Sequence, residues 1–231
     1  MFIVLKKKKL IAIISITLAL IVLCCIVFKT KNVFANKRKT PIYSVEKEEK
    51  EIAISFDCAW GVDYTDKLLK IMDEEKVKCT FFAVQFWVEK YPEYVKKIDA
   101  FGHEIGTHSA THPYMSKLSK ETIVKELTSS REAIEKITNK KVNVFRPPYG
   151  DYNNLLIETC EELKLYPIQW DVDSLDWKNL SALEIKNRVL SRVKNGSIVL
   201  FHNNGLHTSE ALRDIIISLQ QTRENIIFIL K

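Results

Sequence analysis

Two histidines four positions apart, in His108-Ser109-Ala110-Thr111-His112, have a spacing suited to chemistry. On a helical turn that spacing places both imidazoles on one side, so a short segment offers two nitrogen ligands to a divalent metal; a solvated loop fits the same pattern. The stretch Gly102 to Thr107 leads into the pair as a strand, and Pro113 stops any continuation. Elsewhere a carboxylate stands beside a thiol, Asp57-Cys58, directly after the apolar run Ile52 to Phe56. Such an aspartate either caps a turn or acts as a base toward an activated water. Arg146 precedes the stiff Pro147-Pro148 turn, where a guanidinium either lies on the surface or holds a carboxylate in a bidentate fork. Trp170 to Trp177 interleaves Asp171, Asp173 and Asp176 with aromatics that stack on sugars or fill a core. His202 ends the apolar run Leu200-Phe201, as a site residue or as a buried, satisfied imidazole, and His207 reads as an exposed loop histidine.

The elements that must position these groups follow from hydrophobic periodicity. Short β-branched or aromatic runs at 52–56, 79–84, 104–107, 142–145, 166–170, 197–201 and 225–230 read as strands. Amphipathic or charged stretches at 65–76, 91–101, 119–138, 152–163, 181–194 and 208–223 read as helices, with Ser119, Asn153 and Ser181 as start signals. No internal repeat or low-complexity segment interrupts the alternation. Parallel β-α units follow, in an open doubly wound sheet or a closed barrel. The chemically able residues fall just after several different strands, and side chains from so many strand ends converge most naturally at the mouth of a barrel. The expected fold is therefore α/β, a distorted (β/α) barrel with fewer than eight units.

The first forty residues are of another kind. Leu10 to Phe28 carries no charge and only Ser15 and Thr17 as clearly polar residues, and its length suits a helix crossing a hydrocarbon core of about 30 Å. With Lys6 to Lys9 ahead of it, this run reads as an uncleaved membrane anchor that leaves the remaining chain outside the cytoplasm. The alternative is a signal, with secretion after cleavage near Ala35. The expected organisation is a basic segment at 1–9, the anchor or signal at 10–28, a polar tether at 29–50 and a catalytic domain at 51–231. Net charge is +6, yet nine basic residues precede the first acid, and subtracting them leaves residues 40–231 at −3. A folded part of that sign excludes a nucleic-acid partner. Oligomeric state leaves no signal. Cys24 and Cys25 lie in the apolar run, and Cys58, Cys79 and Cys160 are too few for a fully paired disulfide framework.

Taken in order, Ser-Phe-Asp at 55–57, His108-x-x-x-His112, Arg146-Pro147-Pro148-Tyr149-Gly150, Asp173-Ser174-Leu175-Asp176-Trp177 and Leu200-Phe201-His202 resemble the five motifs of the NodB-homology polysaccharide deacetylases, carbohydrate esterase family 4. The form Ser-Phe-Asp-x-x-Trp-Gly is most similar to the bacterial cell-wall branch that includes sporulation-associated members. The resemblance implies removal of N-acetyl groups from a cell-wall glycan such as peptidoglycan, with a divalent metal, usually Zn2+, held by two histidines and a carboxylate. Asp57 would then be the base, His108 and His112 metal ligands, and His202 the acid that protonates the leaving amine. Arg146 would orient Asp57 and Asp176 would set the protonation of His202, while Trp60, Pro148, Tyr149 and Trp177 would form the sugar-binding surface. Amide hydrolysis needs these functions: an activated water, a polarised carbonyl and an acid for a poor leaving group.

One position departs from the family. The first motif there carries two successive aspartates, the second a metal ligand, and this sequence has Cys58 in that place. A thiolate binds zinc at about 2.3 Å and would favour zinc over magnesium or manganese while leaving it a weaker Lewis acid. Two readings stay open. Cys58 is the third ligand of a working deacetylase, or it is no ligand and the protein is a glycan binder with the deacetylase fold and little catalysis.

Overall fold

Eight short parallel strands form the sheet of the computed structural model, which describes residues 11–12, 14–25, 38–46, 48–222, 225–227 and 229. Strand β1, Glu51–Cys58, is buried from its second residue to its last. That continuous burial is what a parallel strand covered on both faces requires, and Ile52, Ile54 and Phe56 supply the bulk. It pairs with β2 (Thr80–Ala83) on one side and β7 (Ile198–His202) on the other, while β8 (Asn225–Ile227) pairs with its first residues. With β3 (Glu104–Thr107), β4 (Val144–Phe145), β5 (Tyr166–Pro167) and β6 (Val172–Asp173), the path runs β5-β4-β3-β2-β1-β7-β6.

Register brings the reactive residues to one end. Asp57 lies opposite His202, Ala83 opposite Thr107 and Thr107 opposite Phe145, so the residues after these strands, His108 and Arg146 among them, leave the sheet at one level. Helices α1 (Thr65–Glu74), α2 (Gln85–Lys90), α3 (Pro92–Ala100), α4 (Lys120–Thr138), α5 (Asn154–Glu162), α6 (Ala182–Leu190) and α7 (Thr208–Gln221) connect the strands. Three of them start where the sequence places caps. Ser119 and Asn153 accept from Thr122 and Leu156 amides, and Ser181 forms a reciprocal capping box with Glu184. Beneath the site, Phe56 stacks between Phe81 and Phe201 at ring separations of 5.0 and 5.7 Å.

The path is an incomplete barrel, in keeping with fewer than eight units, and it is closed by a segment expected to be a tether. Ile42 bridges in parallel to Ile168 just past β5, and Ser44 bridges antiparallel to Ser197 before β7. The Ile42 amide donates to Pro167 O at 2.9 Å, Gln169 N donates to Ile42 O at 2.7 Å, and Val45 N donates to Gly196 O at 2.9 Å. The folded unit accordingly begins at Thr40 and not at Glu51. Two further differences are local. The expected strand at 166–170 ends at Pro167, and a further strand, β6, follows after a turn; α2 is a helix between the expected strand at 79–84 and the expected helix at 91–101, where the sequence reading places no element.

Residues Met1–Lys39 form a separate unit. Residues 14–25 are helical, and Ile14, Ile16, Leu18, Leu20, Ile21, Val22 and Leu23 are exposed. Among the described residues no helix is long and apolar enough to cross a membrane. Leu10, Ile13 and residues 26–28 of the expected anchor, the basic segment at 1–9 and Ala35 lie outside the described residues. All five cysteines are free.

Candidate active site

A cleft of about 580 Å3 opens at the carboxyl end of the sheet, lined among others by Asp57, Trp60, His108, His112, Tyr149, Trp177 and His202. Asp57 is the last residue but one of β1, and its carboxylate is held by Arg146 with His108 beside it. Arg146 Nη1 donates to Oδ1 at 2.9 Å, and His108 Nε2 lies 3.5 Å from Oδ2. Burial pushes this carboxyl up, but His108, Arg146 and His202 together outweigh it and hold the group below its ordinary value, so Asp57 stays ionised. The arginine is itself fixed: fully buried, it donates from Nη2 to Gln169 O at 3.1 Å and lies 4.2 Å over the Phe82 ring. It does not line the cleft, so the guanidinium works behind Asp57, as a bidentate-capable residue on a stiff turn would.

The histidine pair comes together by a route the spacing did not give. The segment after β3 is a loop, with left-handed φ of 71° at Ser109 and 59° at His112, in place of a helical turn. The two rings are nevertheless 4.9 Å apart. His108 Nδ1 is paired with Arg146 O at 2.7 Å, which turns Nε2 toward the cleft. His112 packs edge-on against Trp60 and Tyr149, and its Nδ1 is buried without a hydrogen-bond partner. Burial, with His108 beside it, lowers the His112 value to about 4, and burial lowers His108 as well. Both imidazoles are thus neutral at pH 7, the form that offers a lone pair to a metal.

Across the cleft, His202 at the end of β7 pairs through Nδ1 with Asp176 Oδ1 at 2.8 Å. Asp176 is fully buried and also accepts from His202 N at 2.8 Å and Thr208 Oγ1 at 2.6 Å. Burial pulls the His202 value down, but the Asp176 hydrogen bond and charge overcome it and leave the imidazole above its usual range. The cleft therefore holds an ionised base and, opposite it, a histidine poised to carry a proton, a pairing suited to hydrolysis of a neutral bond with a basic leaving group.

Two expected site residues are placed elsewhere. Cys58 is fully buried in the apolar cluster with Phe56, Phe81 and Trp87, and does not line the cleft. Burial, then the Asp57 charge, pushes its thiol well above the usual value, so without metal it stands as a neutral thiol. Alternation along β1 turns Asp57 toward the site and Cys58 away from it, and no third Cys, His, Asp or Glu completes a metal-holding group among the described residues. Pro148 is likewise buried; it starts the turn that presents Tyr149, at φ 59°, to the cleft. His207 pairs with Glu210 at 3.0 Å, outside the cleft. Trp170 and Asp173, from the expected run of acids and aromatics, also line it, as do Asn179, Asn203 and Asn204, which sequence reasoning did not single out. For Asn203 a signal existed, a polar Asn-Asn-Gly run directly after a strand-terminal histidine; its Nδ2 donates to Gly61 O at 3.0 Å and Thr65 Oγ1 at 3.1 Å.

A family profile described as Polysaccharide deacetylase matches residues 44–168. Among curated proteins, the chain is 35% identical over 180 residues to the uncharacterized protein YlxY of Bacillus subtilis, covering 78% of this chain and 56% of that one. It is 33% identical over 153 residues to a peptidoglycan-N-acetylglucosamine deacetylase of Bacillus cereus, covering 66% and 56%. The chain thus spans about half the length of these two relatives. Among solved structures, it matches a family pseudoenzyme of Bacillus anthracis with a TM-score of 0.80 and 32% identity, over 83% of this chain and 70% of that one. A mutant of that pseudoenzyme with restored enzymatic activity matches with the same TM-score at 34% identity.

Proposed function

The chain belongs to the polysaccharide deacetylase family, and on that premise we propose that it removes N-acetyl groups from a cell-wall glycan of the peptidoglycan kind. The observation that carries this reading is the pairing, across one cleft, of an ionised Asp57 backed by Arg146 with a His202 backed by Asp176. The name of the Bacillus cereus relative supports the choice of peptidoglycan.

His108 and His112 suit two nitrogen ligands of a divalent metal, Zn2+ by the neutral-imidazole chemistry, because the buried Nδ1 of His112 has no other partner. When bound, such an ion would polarise the acetyl carbonyl and acidify water. The chain's own residues do the rest. Asp57, kept charged by Arg146, accepts the proton of the attacking water at Oδ2, the oxygen that Arg146 leaves free. His202, held in orientation by Asp176, delivers a proton to the departing sugar amine. Trp60, Tyr149 and Trp177, between 54 and 60% exposed, offer flat faces on which sugar rings stack. The run at 10–28 is proposed to anchor the chain in the membrane with the cleft on the extracytoplasmic side, where peptidoglycan lies.

Mass spectrometry of muropeptides after incubation with the zinc-loaded protein tests this. Products lacking one acetyl group are expected from wild type, and turnover at least about 100-fold lower from Asp57→Asn, the scale of lost general-base catalysis. Unaltered muropeptides from wild type, or full activity in Asp57→Asn, would refute it.

A second reading, a glycan-binding protein with little catalysis, is favoured by one observation, the burial of Cys58 where the family places a metal ligand. The likeness to a pseudoenzyme agrees with it. Muropeptide binding without acetate release is its signature.

A further inference from the structure

We infer that Glu126 is a positioning residue for the histidine pair, acting through the backbone of the loop that joins them; the inference rests on the metal-binding reading of that pair. Glu126 lies on α4 in the buried stripe Ile123, Glu126, Leu127, Ser130, Ile134, where apolar residues are the rule. A buried carboxylate needs partners, and those of Glu126 all come from the loop. Its Oε2 accepts from Ala110 N at 2.9 Å and Thr111 N at 2.8 Å, and its Oε1 accepts from Thr111 Oγ1 at 2.7 Å.

The loop requires such a hold. Ser109 and His112 both have left-handed φ without being glycine, a conformation that persists only where the surroundings over-determine it. Each of the four successive amides at 109–112 donates to a side chain: Ser109 N to Thr107 Oγ1, Ala110 N and Thr111 N to Glu126, and His112 N to Ser109 Oγ. Ser130, one turn after Glu126 on α4, meets Thr107 Oγ at 2.5 Å and completes the contact from the same helix. Two polar residues at i and i+4 in an apolar stripe thus clamp the loop at its start and its middle. Glu126 touches neither imidazole; it sets the backbone from which both project.

Competitive titration of zinc into the full chain in detergent, beside the d–d absorption of the cobalt form, tests the assignment. Glu126→Ala should bind zinc about 10- to 100-fold more weakly than wild type, the range for loss of a group that orients ligands, with an altered cobalt spectrum. Glu126→Gln, which keeps the shape and one acceptor oxygen for the two amides, should recover most of the affinity. Thermal unfolding separates a general loss of stability: Glu126→Ala with a lower Tm but wild-type zinc affinity and cobalt spectrum would overturn the proposal. If wild type binds no zinc, the metal reading fails, and the clamp is then judged without metal. The ring-to-ring nuclear Overhauser contact between His108 and His112 should vanish in Glu126→Ala while the His202 resonances stay; its persistence would overturn the proposal.

Discussion

Asp57 and Cys58 are neighbours on one strand, and the pleat assigns them opposite fates. Asp57 enters the cleft and meets Arg146; Cys58 enters the apolar cluster. The type and spacing of residues made the histidine pair, Asp57 and His202 legible, because each is a chain-local signal at the end of an apolar run. Alternation separates Asp57 from Cys58 locally, but which of the two faces the cleft depends on how β1 packs in the sheet, and no local pattern carries that. Cys58→Ser should therefore leave zinc affinity unchanged within a few-fold, since this side chain packs in the apolar cluster and does not line the cleft. Cys58→Asp places a carboxylate in an apolar cluster, which without metal costs several kcal/mol. Thermal unfolding should show Cys58→Asp less stable than wild type without zinc, and stabilised more than wild type by saturating zinc if the carboxylate turns to the histidines. A large loss of zinc affinity in Cys58→Ser would restore the thiol as a ligand. On the opposite wall, Asp176→Asn removes the charge that keeps the His202 value above its usual range. The protonated acid is then lost at a lower pH, so the alkaline limb of the rate profile should shift toward acid. A limb that stays in place would take the acid role from His202.

Elements were read well where amphipathic period and caps agree, as in α4, α5 and α6 behind Ser119, Asn153 and Ser181. They were misread where pairing partners decide. Pro41 to Ser44 has no period and sits in a polar stretch, yet Ile42 and Ser44 bridge the seam, where Ile168 just past β5 and Ser197 just before β7 offer backbone groups. The α2 helix carries no signal of its own: its six residues are too short for an amphipathic period, and tertiary contacts such as Trp87 Nε1 donating to Gly61 O at 2.8 Å hold it. A chain that starts at Glu51 loses the three backbone hydrogen bonds of residues 42–45 and the one that Asn225 N donates to Lys50 O at 2.7 Å. At roughly 1 kcal/mol each it should be about 4 kcal/mol less stable than one starting at Thr40, by denaturant titration. Equal stability would mean that the seam segment contributes nothing.

For the whole molecule, the charge division and the apolar run at 10–28 propose a membrane-held protein whose acidic folded part works on a polymer outside the cytoplasm. The full chain should sediment with membranes and resist extraction by salt, and deletion of residues 10–28 should release it. Recovery of the full chain in the soluble fraction would point to cleavage near Ala35. The fold follows from the alternation of strand and helix patterns; the proposed activity rests on whether two histidines, without the family's usual carboxylate, hold enough metal. Acetate release from N-acetylated peptidoglycan fragments, measured for zinc-reconstituted wild type beside Cys58→Asp, tests that centre most directly. Wild type is predicted to release acetate whether or not Cys58→Asp does; a wild type that binds the fragments without releasing acetate, while Cys58→Asp is active, would contradict the deacetylase account and leave a glycan-binding protein in its place.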